Sequence, residues 1–392
     1  MKKHVDHVVI IGAGVAGATT AACLSEAGVS VTVLEAGDGP ASGASGNHQG
    51  AVYIKPAVQW NAETALASAA LSFAQAAYGR WQQSLGGDFW HPTGLLQVAL
   101  SDEDAQRQGR IIASGDHDPA LIQGVTAVEA SDIAGIAIPR PALWYPGSGW
   151  LRPDRLCTAL LSSPAVQLRT GVAVTGLCRA EGQGLWRLTL NTGETLDTDT
   201  VVVCAANASR ALLCSLDANP GSESSPTGAS SPSLTTGDTH TDFTLPLVPL
   251  PLKPIRGQVS LLPATEATPP RVVVCGDGYV NPPCEGWQLI GASFDLDDPD
   301  PLEREDSHRD NQERIAAWLP DLVRGWPERA LWRGRTRFRA TTPDYQPIAG
   351  ALWNDTALVA RIRRQARMKG ISAEPELALP GLYCLTGLGS KG

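Results

Sequence analysis

Residues 5 to 35 read VDHVVIIGAGVAGATTAACLSEAGVSVTVLE, and the order of residue types in this stretch describes a phosphate-binding βαβ unit. The β-branched run Val8-Val9-Ile10-Ile11 has the character of a buried parallel strand and ends directly on Gly12-Ala13-Gly14-Val15-Ala16-Gly17. Gly12 permits a tight turn, Gly14 lets a pyrophosphate approach the backbone, and Gly17 allows close packing of a helix that runs to about Ala27. A second apolar run, Val29 to Leu34, ends on Glu35, eighteen residues after Gly17. A carboxylate there accepts hydrogen bonds from an adenosine ribose and disfavours a 2′-phosphate. The fingerprint alone does not separate FAD from NAD, although its N-terminal placement favours FAD.

Outward from this unit, Ala36 to Gly50 is rich in glycine and serine and lacks hydrophobic periodicity. It reads as a surface loop or, from its density of backbone N–H groups, as a second loop wrapping the cofactor. Residues 61 to 85 are alanine-rich and helical, and Phe89 to Leu100 is strand-like. Between 165 and 207, the runs Val166 to Leu168, Val172 to Leu177, Trp186 to Leu190 and Thr200 to Asn207 form a strand-rich block. The last of these ends on small residues, as a central strand does beneath a bound dinucleotide. Residues 218 to 242 lack the apolar content to bury themselves and are expected to be a disordered insertion. A proline-rich passage then leads into Ile255 to Leu261, strands near Arg271 to Cys275 and Gln288 to Ala292, and a helix at about Arg304 to Trp318. These describe a second, mostly antiparallel sheet.

The 392 residues suffice for two domains. With 31 basic and 40 acidic side chains the net charge is −9, which argues against nucleic-acid binding by bulk charge. Arg361 to Lys369, with five positive charges in nine residues, is the local exception, either a solvated helix or a phosphate-contacting patch. The eight cysteines form no C-x-x-C pair and no metal spacing; several lie in apolar runs and read as small core residues suited to a reducing cytosol. No apolar run is long enough to span a membrane and no signal peptide is visible, so a soluble, cytoplasmic protein without a metal is expected.

Four motifs in order resemble the D-amino-acid oxidase and glycine oxidase superfamily of flavoproteins: the fingerprint with Glu35, Pro254-Ile255-Arg256-Gly257-Gln258, Arg339-x-x-Thr342-x-Asp344-x-x-Pro347-x-x-Gly350, and Gly381 to Ser390. The resemblance implies an α/β fold: a Rossmann-like FAD-binding domain assembled from 1–85, 147–215 and 336–392, and a second, mainly antiparallel β substrate domain from 86–146 and 245–335. Further strings, Gly43 to Gly50, Gly149-Trp150-Leu151-Arg152-Pro153, Cys275 to Pro282 and Gly291 to Asp295, are most similar to the branch of this superfamily that acts on tRNA. That likeness implies FAD-dependent removal of the carboxymethyl group from 5-carboxymethylaminomethyl-2-thiouridine at the wobble position. A separate methyltransferase would act on the product. The alternatives are a free amino-acid oxidase of the glycine or sarcosine type, and a truncated flavin-binding protein without activity. In the branch an arginine usually stands where this chain has His48, and the chain stops at Lys391-Gly392 where relatives continue into a helix, which would weaken flavin retention.

The resemblance carries cofactor-binding roles to Gly12, Gly14, Gly17, Glu35, Ser45, Gly46, Asn47, Gln49, Gly50, Val174, Ala205, Gly387, Leu388, Gly389 and Ser390. Gly387 to Ser390 would bring N–H groups to the pyrimidine end of the flavin, where negative charge develops on reduction. Arg339, at the superfamily's Arg-x-x-Thr-x-Asp position, would hold a substrate carboxylate bidentately, against the rival reading of a salt-bridged structural arginine. Arg335 and Arg337 read as solvated or structural. Tyr279 would roof the flavin or stack on a base, or else be core, and Arg256 would touch substrate or secure the sheet. His48 as a covalent flavin anchor is the weakest of these readings. The chemistry needs no acid–base pair if the amine binds neutral, because the cofactor carries it.

Overall fold

The computed structural model describes residues 5–180, 184–214, 250–265, 269–353 and 378–390. The expected insertion at 218–242 and the basic run 361–369 lie outside the described residues. The chain divides into two compact units, one of residues 1–39, 164–253 and 340–392, the other of residues 40–163 and 254–339.

The first unit is built on a six-stranded sheet in the order Ile348–Trp353, Ala378–Thr386, Val201–Val203, His7–Ile11, Ser30–Leu34 and Val166–Arg169. All neighbours are parallel except the antiparallel edge pair Ile348–Trp353 with Ala378–Thr386. Continuous apolar runs follow from burial on both faces, and Val8, Val9, Ile10, Val31, Val33, Val201 and Val203 are all buried. The helix Val15–Glu26 links the first two parallel strands. A three-stranded meander, Val174–Arg179, Trp186–Leu190 and Thr195–Thr198, closes the core. Its central strand alternates buried and exposed residues, and Trp186, fully buried, donates Nε1–H to the carbonyl of Pro380 at 3.0 Å while Arg179 lies 4.1 Å over its ring.

The second unit carries an eight-stranded sheet in the order Arg333–Thr341, Lys253–Pro263, Trp287–Gly291, Gly278–Val280, Val273–Gly276, Leu95–Val98, Ala142–Tyr145 and Gln123–Val125. Its register is antiparallel along Lys253–Pro263, Trp287–Gly291, Gly278–Val280 and Val273–Gly276, and parallel where Val273–Gly276 meets Leu95–Val98. The chain thus has the expected mixed α/β architecture, a Rossmann-like parallel sheet and a mainly antiparallel one. In Lys253–Pro263, Arg256, Gln258 and Ser260 share one face and are all buried, so their polar atoms need partners. The helix Glu305–Ala316 supplies several: Asn311 Nδ2 donates to the Gln258 carbonyl and to Ser260 Oγ, both at 3.0 Å, and His308 Nδ1 lies 2.7 Å from Ser260 Oγ.

The compact units group 40–85, 147–163 and 336–339 with the second unit and 250–253 with the first, where the expected bounds placed each of them in the other domain. The strands Gly50–Val52 and Trp90–His91 both pair with Gly149–Leu151. The helix Ala62–Leu85, capped by Asn61 Oδ1 on the Thr64 N–H and ended by left-handed Gly86, packs on Trp90–His91 and on the helix Pro153–Leu161. The cysteine reading needs a partial correction as well. Cys157, Cys204, Cys275 and Cys384 are buried, but Cys23 and Cys178 are exposed, Cys23 on the solvent side of the helix Val15–Glu26 and Cys178 on the strand face opposite buried Leu177. Among the described residues no helix is long and apolar enough to cross a membrane, and no cluster could hold a metal ion.

Candidate functional site

In the first unit, three parallel strands end side by side: His7–Ile11 on Gly12, Val201–Val203 on Cys204-Ala205, and Ala378–Thr386 on Gly387. Ligands of open α/β sheets bind beyond such carboxyl ends. Gly12 has φ +105°, and a β-carbon there would fall 2.6 Å from the carbonyl oxygen of Cys204; one on Gly17 would collide with the carbonyl of Gly12. Both positions therefore require glycine, for conformation at the first and for helix–strand contact at the second. The helix Val15–Glu26 begins at Gly14 with no side-chain cap and no acidic residue in its first turn, the arrangement in which a bound pyrophosphate supplies the missing negative charge.

Glu35 is buried at the end of the second strand. Its Oε2 accepts the Ala13 N–H at 2.7 Å and its Oε1 accepts the Gly37 N–H at 2.8 Å, so the carboxylate clamps the fingerprint turn to the loop that follows. Carboxylate oxygens accept more than one hydrogen bond, which suits Glu35 to ribose hydroxyls from the same place. On the far side of the strand ends, Thr386 Oγ1 donates to the Ala206 carbonyl at 3.2 Å. Gly387 and Gly389 are left-handed, and the turn they form is held by the Gly389 N–H on the Ala340 carbonyl at 2.8 Å and by a bridge between Thr341 and Leu388. Thr341 Oγ1 is buried there with no partner among the described residues, the mark of a polar group awaiting a ligand. Glycine cradle, uncapped helix, clamped acid and orphaned hydroxyl fit an adenine dinucleotide with a polar ring system. Val174 begins the meander and packs against the core cluster, two residues beyond Val172, whose N–H donates to the Glu35 carbonyl at 2.8 Å.

The second unit collects the remaining candidates. Ser45 and Gly46 lie in a short 3-10 turn, Ala44–Gly46, and a β-carbon on Gly46 would collide with the Arg335 guanidinium. Arg335 Nη2 donates to the Gly43 carbonyl at 2.8 Å and Arg337 Nε to that of Ser42 at 3.4 Å. These two arginines fix the loop; burial first, and the neighbouring Arg337 second, pull Arg335 down to about 10. Further along, Asn47 Nδ2 donates to the Gln49 carbonyl at 3.1 Å, and Gln49 Nε2 to the Pro282 carbonyl at 3.0 Å, joining this loop to the segment just after the strand Gly278–Val280, which bears Tyr279. Gly50 starts the next strand, and His48 is exposed.

Tyr279 is half-buried. Burial pushes its phenol above the ordinary range, with Arg339 and Asn47 opposing. Arg339, also half-buried, makes one hydrogen bond among the described residues, Nη1–H to the Ser293 carbonyl at 3.2 Å, and no ion pair. Burial pulls its pKa down, with Tyr279 and Asp295 opposing. A desolvated guanidinium without a carboxylate partner is what a substrate carboxylate would complete. Space for it comes from Gly257, where a β-carbon would fall 2.6 Å from Arg339 Cζ. Arg256, by contrast, is fully buried and spends its donors on Asp295, Asp300, Leu302 and Ser307, which assigns it to structure.

Sequence reasoning missed Gly257 as a spacer, Ser293 as the anchor of Arg339, and Thr341. Gly257 and Ser293 lie within Pro254–Gln258 and Gly291–Asp295, and Thr341 is an unspecified position between Arg339 and Thr342 that no periodicity marks.

Residues 7–392 match the family model described as DAO, FAD dependent oxidoreductase. The chain is 37% identical over 388 residues to the tRNA 5-methylaminomethyl-2-thiouridine biosynthesis bifunctional protein MnmC of Marinobacter nauticus, covering 99% of this chain and 53% of that protein. It is 36% identical to the protein of the same name from Chromohalobacter salexigens, covering 98% of this chain and 51% of the relative. The chain thus spans about half the length of these curated relatives. Among solved structures, glycine oxidase from Geobacillus kaustophilus superposes with a TM-score of 0.72 at 19% identity, covering 99% of this chain and 91% of that one. Iminodiacetate oxidase from Chelativorans sp. BNC1 gives 0.69 at 19% identity, covering 98% and 90%. These two likenesses show the fold.

Proposed function

Because this chain belongs to the DAO family of FAD-dependent oxidoreductases, we propose that it removes the carboxymethyl group from 5-carboxymethylaminomethyl-2-thiouridine at the tRNA wobble position, leaving the aminomethyl nucleoside. The cofactor is FAD, and Gly12, Gly14, Gly17 and Glu35 would hold its ADP portion, with Ala205 and Gly387 to Ser390 at the ends of the neighbouring strands. When bound, FAD supplies the two-electron acceptor for the hydride that leaves the carbon beside the secondary amine. Water then adds to the resulting C=N bond, and the carboxymethyl carbons depart as glyoxylate while the nitrogen stays on the nucleoside.

The observation that carries this reading is the state of Arg339: desolvated, positioned by the Ser293 carbonyl, and without an ion pair to any carboxylate among the described residues. The group to be removed is an N-linked acetate, and a bidentate guanidinium fixes both its carboxylate and the adjoining carbon. Glycine and iminodiacetate, for which two of the structural neighbours are named, carry the same carboxymethyl unit on nitrogen. Tyr279 and Asn47 would line the path of the amine. A tRNA substrate would put the enzyme in the cytoplasm, and the bifunctional relatives' name supports a methyltransferase as the next catalyst to act on the product.

The test is incubation of FAD-loaded protein with carboxymethylaminomethyl-modified tRNA, followed by nucleoside mass spectrometry. Conversion to the aminomethyl nucleoside is expected. An FAD-loaded sample that leaves the tRNA unchanged while oxidising glycine or N-methylglycine would replace this substrate with a free amino acid.

A further inference from the structure

Arg339 has a carboxylate nearby that does not pair with it. Asp295 Oδ2 is taken by Arg256 Nη1 at 2.7 Å and by the Ser293 hydroxyl at 2.8 Å. The carbonyl of the same Ser293 accepts Arg339 Nη1–H at 3.2 Å. Two opposite charges, Asp295 and Arg339, therefore hang on one serine without touching. Arg256 cannot yield: it is fully buried, its Nε donates to the Asp300 carbonyl at 2.9 Å and its Nη2 to the Leu302 carbonyl at 2.7 Å. The backbones of residues 256 and 295 are bridged as well, by N–H···O bonds of 3.1 and 2.9 Å. Asp295 is half-buried, in a setting where an unpaired carboxylate would seek the nearest cation.

We propose that Arg256 is a positioning residue that sequesters Asp295, and so keeps the Arg339 guanidinium open for the carboxylate of the substrate. The inference rests on the carboxylate-binding role given to Arg339 above, and not on tRNA being the substrate. Asp295 already acts on Arg339 through space, since its charge favours the protonated guanidinium against the larger effect of burial. A direct Asp295–Arg339 pair would compete with every incoming carboxylate. Sequestration thus sets substrate affinity without touching the substrate, and the polar buried face of Lys253–Pro263 has a task beyond holding the sheet.

Acetate, titrated by calorimetry into FAD-loaded protein, tests this alongside kcat and KM on modified tRNA. Asp295→Asn keeps the side-chain shape and removes the competing charge. It is expected to bind acetate roughly threefold to tenfold more tightly and to lower KM by a similar factor with little change in kcat. Arg256→Met frees Asp295 and is expected to weaken acetate binding at least about tenfold. The double variant Arg256→Met, Asp295→Asn should recover wild-type affinity or better, a rescue that a purely structural arginine would not permit. Unchanged or weaker acetate binding by Asp295→Asn overturns the proposal, as does a loss in Arg256→Met that persists in the double variant. Should Arg256→Met fail to fold, Asp295→Asn alone decides. Wild-type protein that does not bind acetate overturns the proposal together with the role of Arg339, whereas protein that binds acetate but leaves tRNA unchanged strikes only the assigned substrate.

Discussion

Gly257→Ala places a methyl group where Arg339 now lies. A β-carbon built on Gly257 falls 2.6 Å from Arg339 Cζ and 2.7 Å from Nη2, and the three nearest atoms all belong to that guanidinium. Comfortable separation is about 3.5 to 4.0 Å, so the guanidinium must retreat by roughly 1 Å. The obstacle is the far end of a flexible side chain, and the strand Lys253–Pro263 need not move, so stability should change by no more than about 1 kcal/mol. Substrate binding takes the loss instead. Bidentate carboxylate pairs need N···O distances of about 2.7 to 2.9 Å, and one charge-assisted bond is worth about 1.5 to 3 kcal/mol. Losing one of the two raises KM by roughly tenfold to a hundredfold. The assays are steady-state kinetics on modified tRNA and acetate calorimetry, with Arg339→Met setting the upper limit of the effect. A Gly257→Ala protein that folds, retains FAD and binds acetate as tightly as wild type would refute the assignment of Arg339 as the carboxylate clamp.

Other perturbations separate the remaining parts. Glu35→Ala removes the acceptor that ties Ala13 to Gly37 and would meet the ribose; FAD affinity, read from flavin fluorescence on dilution, should fall by roughly tenfold or more. Trp186→Ala empties a fully buried site and leaves the Pro380 carbonyl to Arg179 alone, which should cost about 3 to 5 kcal/mol in urea unfolding, with Trp186→Phe costing less. His91 stacks on Trp150 at 3.7 Å, and burial first, then Arg152 and Arg155, lower its pKa against the opposing pull of Asp88. Below the unfolded-state value of about 6.5 the unfolded chain therefore binds more protons, so His91 subtracts stability as pH falls through that value. In His91→Gln the decline in melting temperature between pH 7 and pH 5 should be shallower, and an equally steep decline would count against His91 as the source. Finally, Cys23 and Cys178 should alkylate in the native protein, while Cys204 and Cys275, each buried and pushed up to about 12, should resist until unfolding, as peptide mass spectrometry would show.

What was legible in the chain tracks how local the physics is. From Val8 to Glu35 the constraints that shape strand, turn, helix and acid lie mostly within one βαβ unit, so these could be placed residue by residue, and the clamp of Glu35 on Ala13 closes that local circuit. The boundary between the units was not local. Gly50–Val52 and Trp90–His91 are assigned by their partner, Gly149–Leu151, about a hundred residues away from the first of them, and nothing in the composition of 40–85 announces that pairing. The same distinction divides the arginines. Alternation along Arg333–Thr341 separates Arg335 and Arg337 from neither solvent nor structure; only the positions of the Ser42 and Gly43 carbonyls do so. Arg339 was readable from a spaced motif, but its condition was not. Whether an arginine is committed or open depends on which cation its neighbouring carboxylate has found, and Asp295 has found Arg256, thirty-nine residues away. An electrostatic site is thus specified by the pairs that do not form as much as by those that do, and the absent pairs are set by packing across strands.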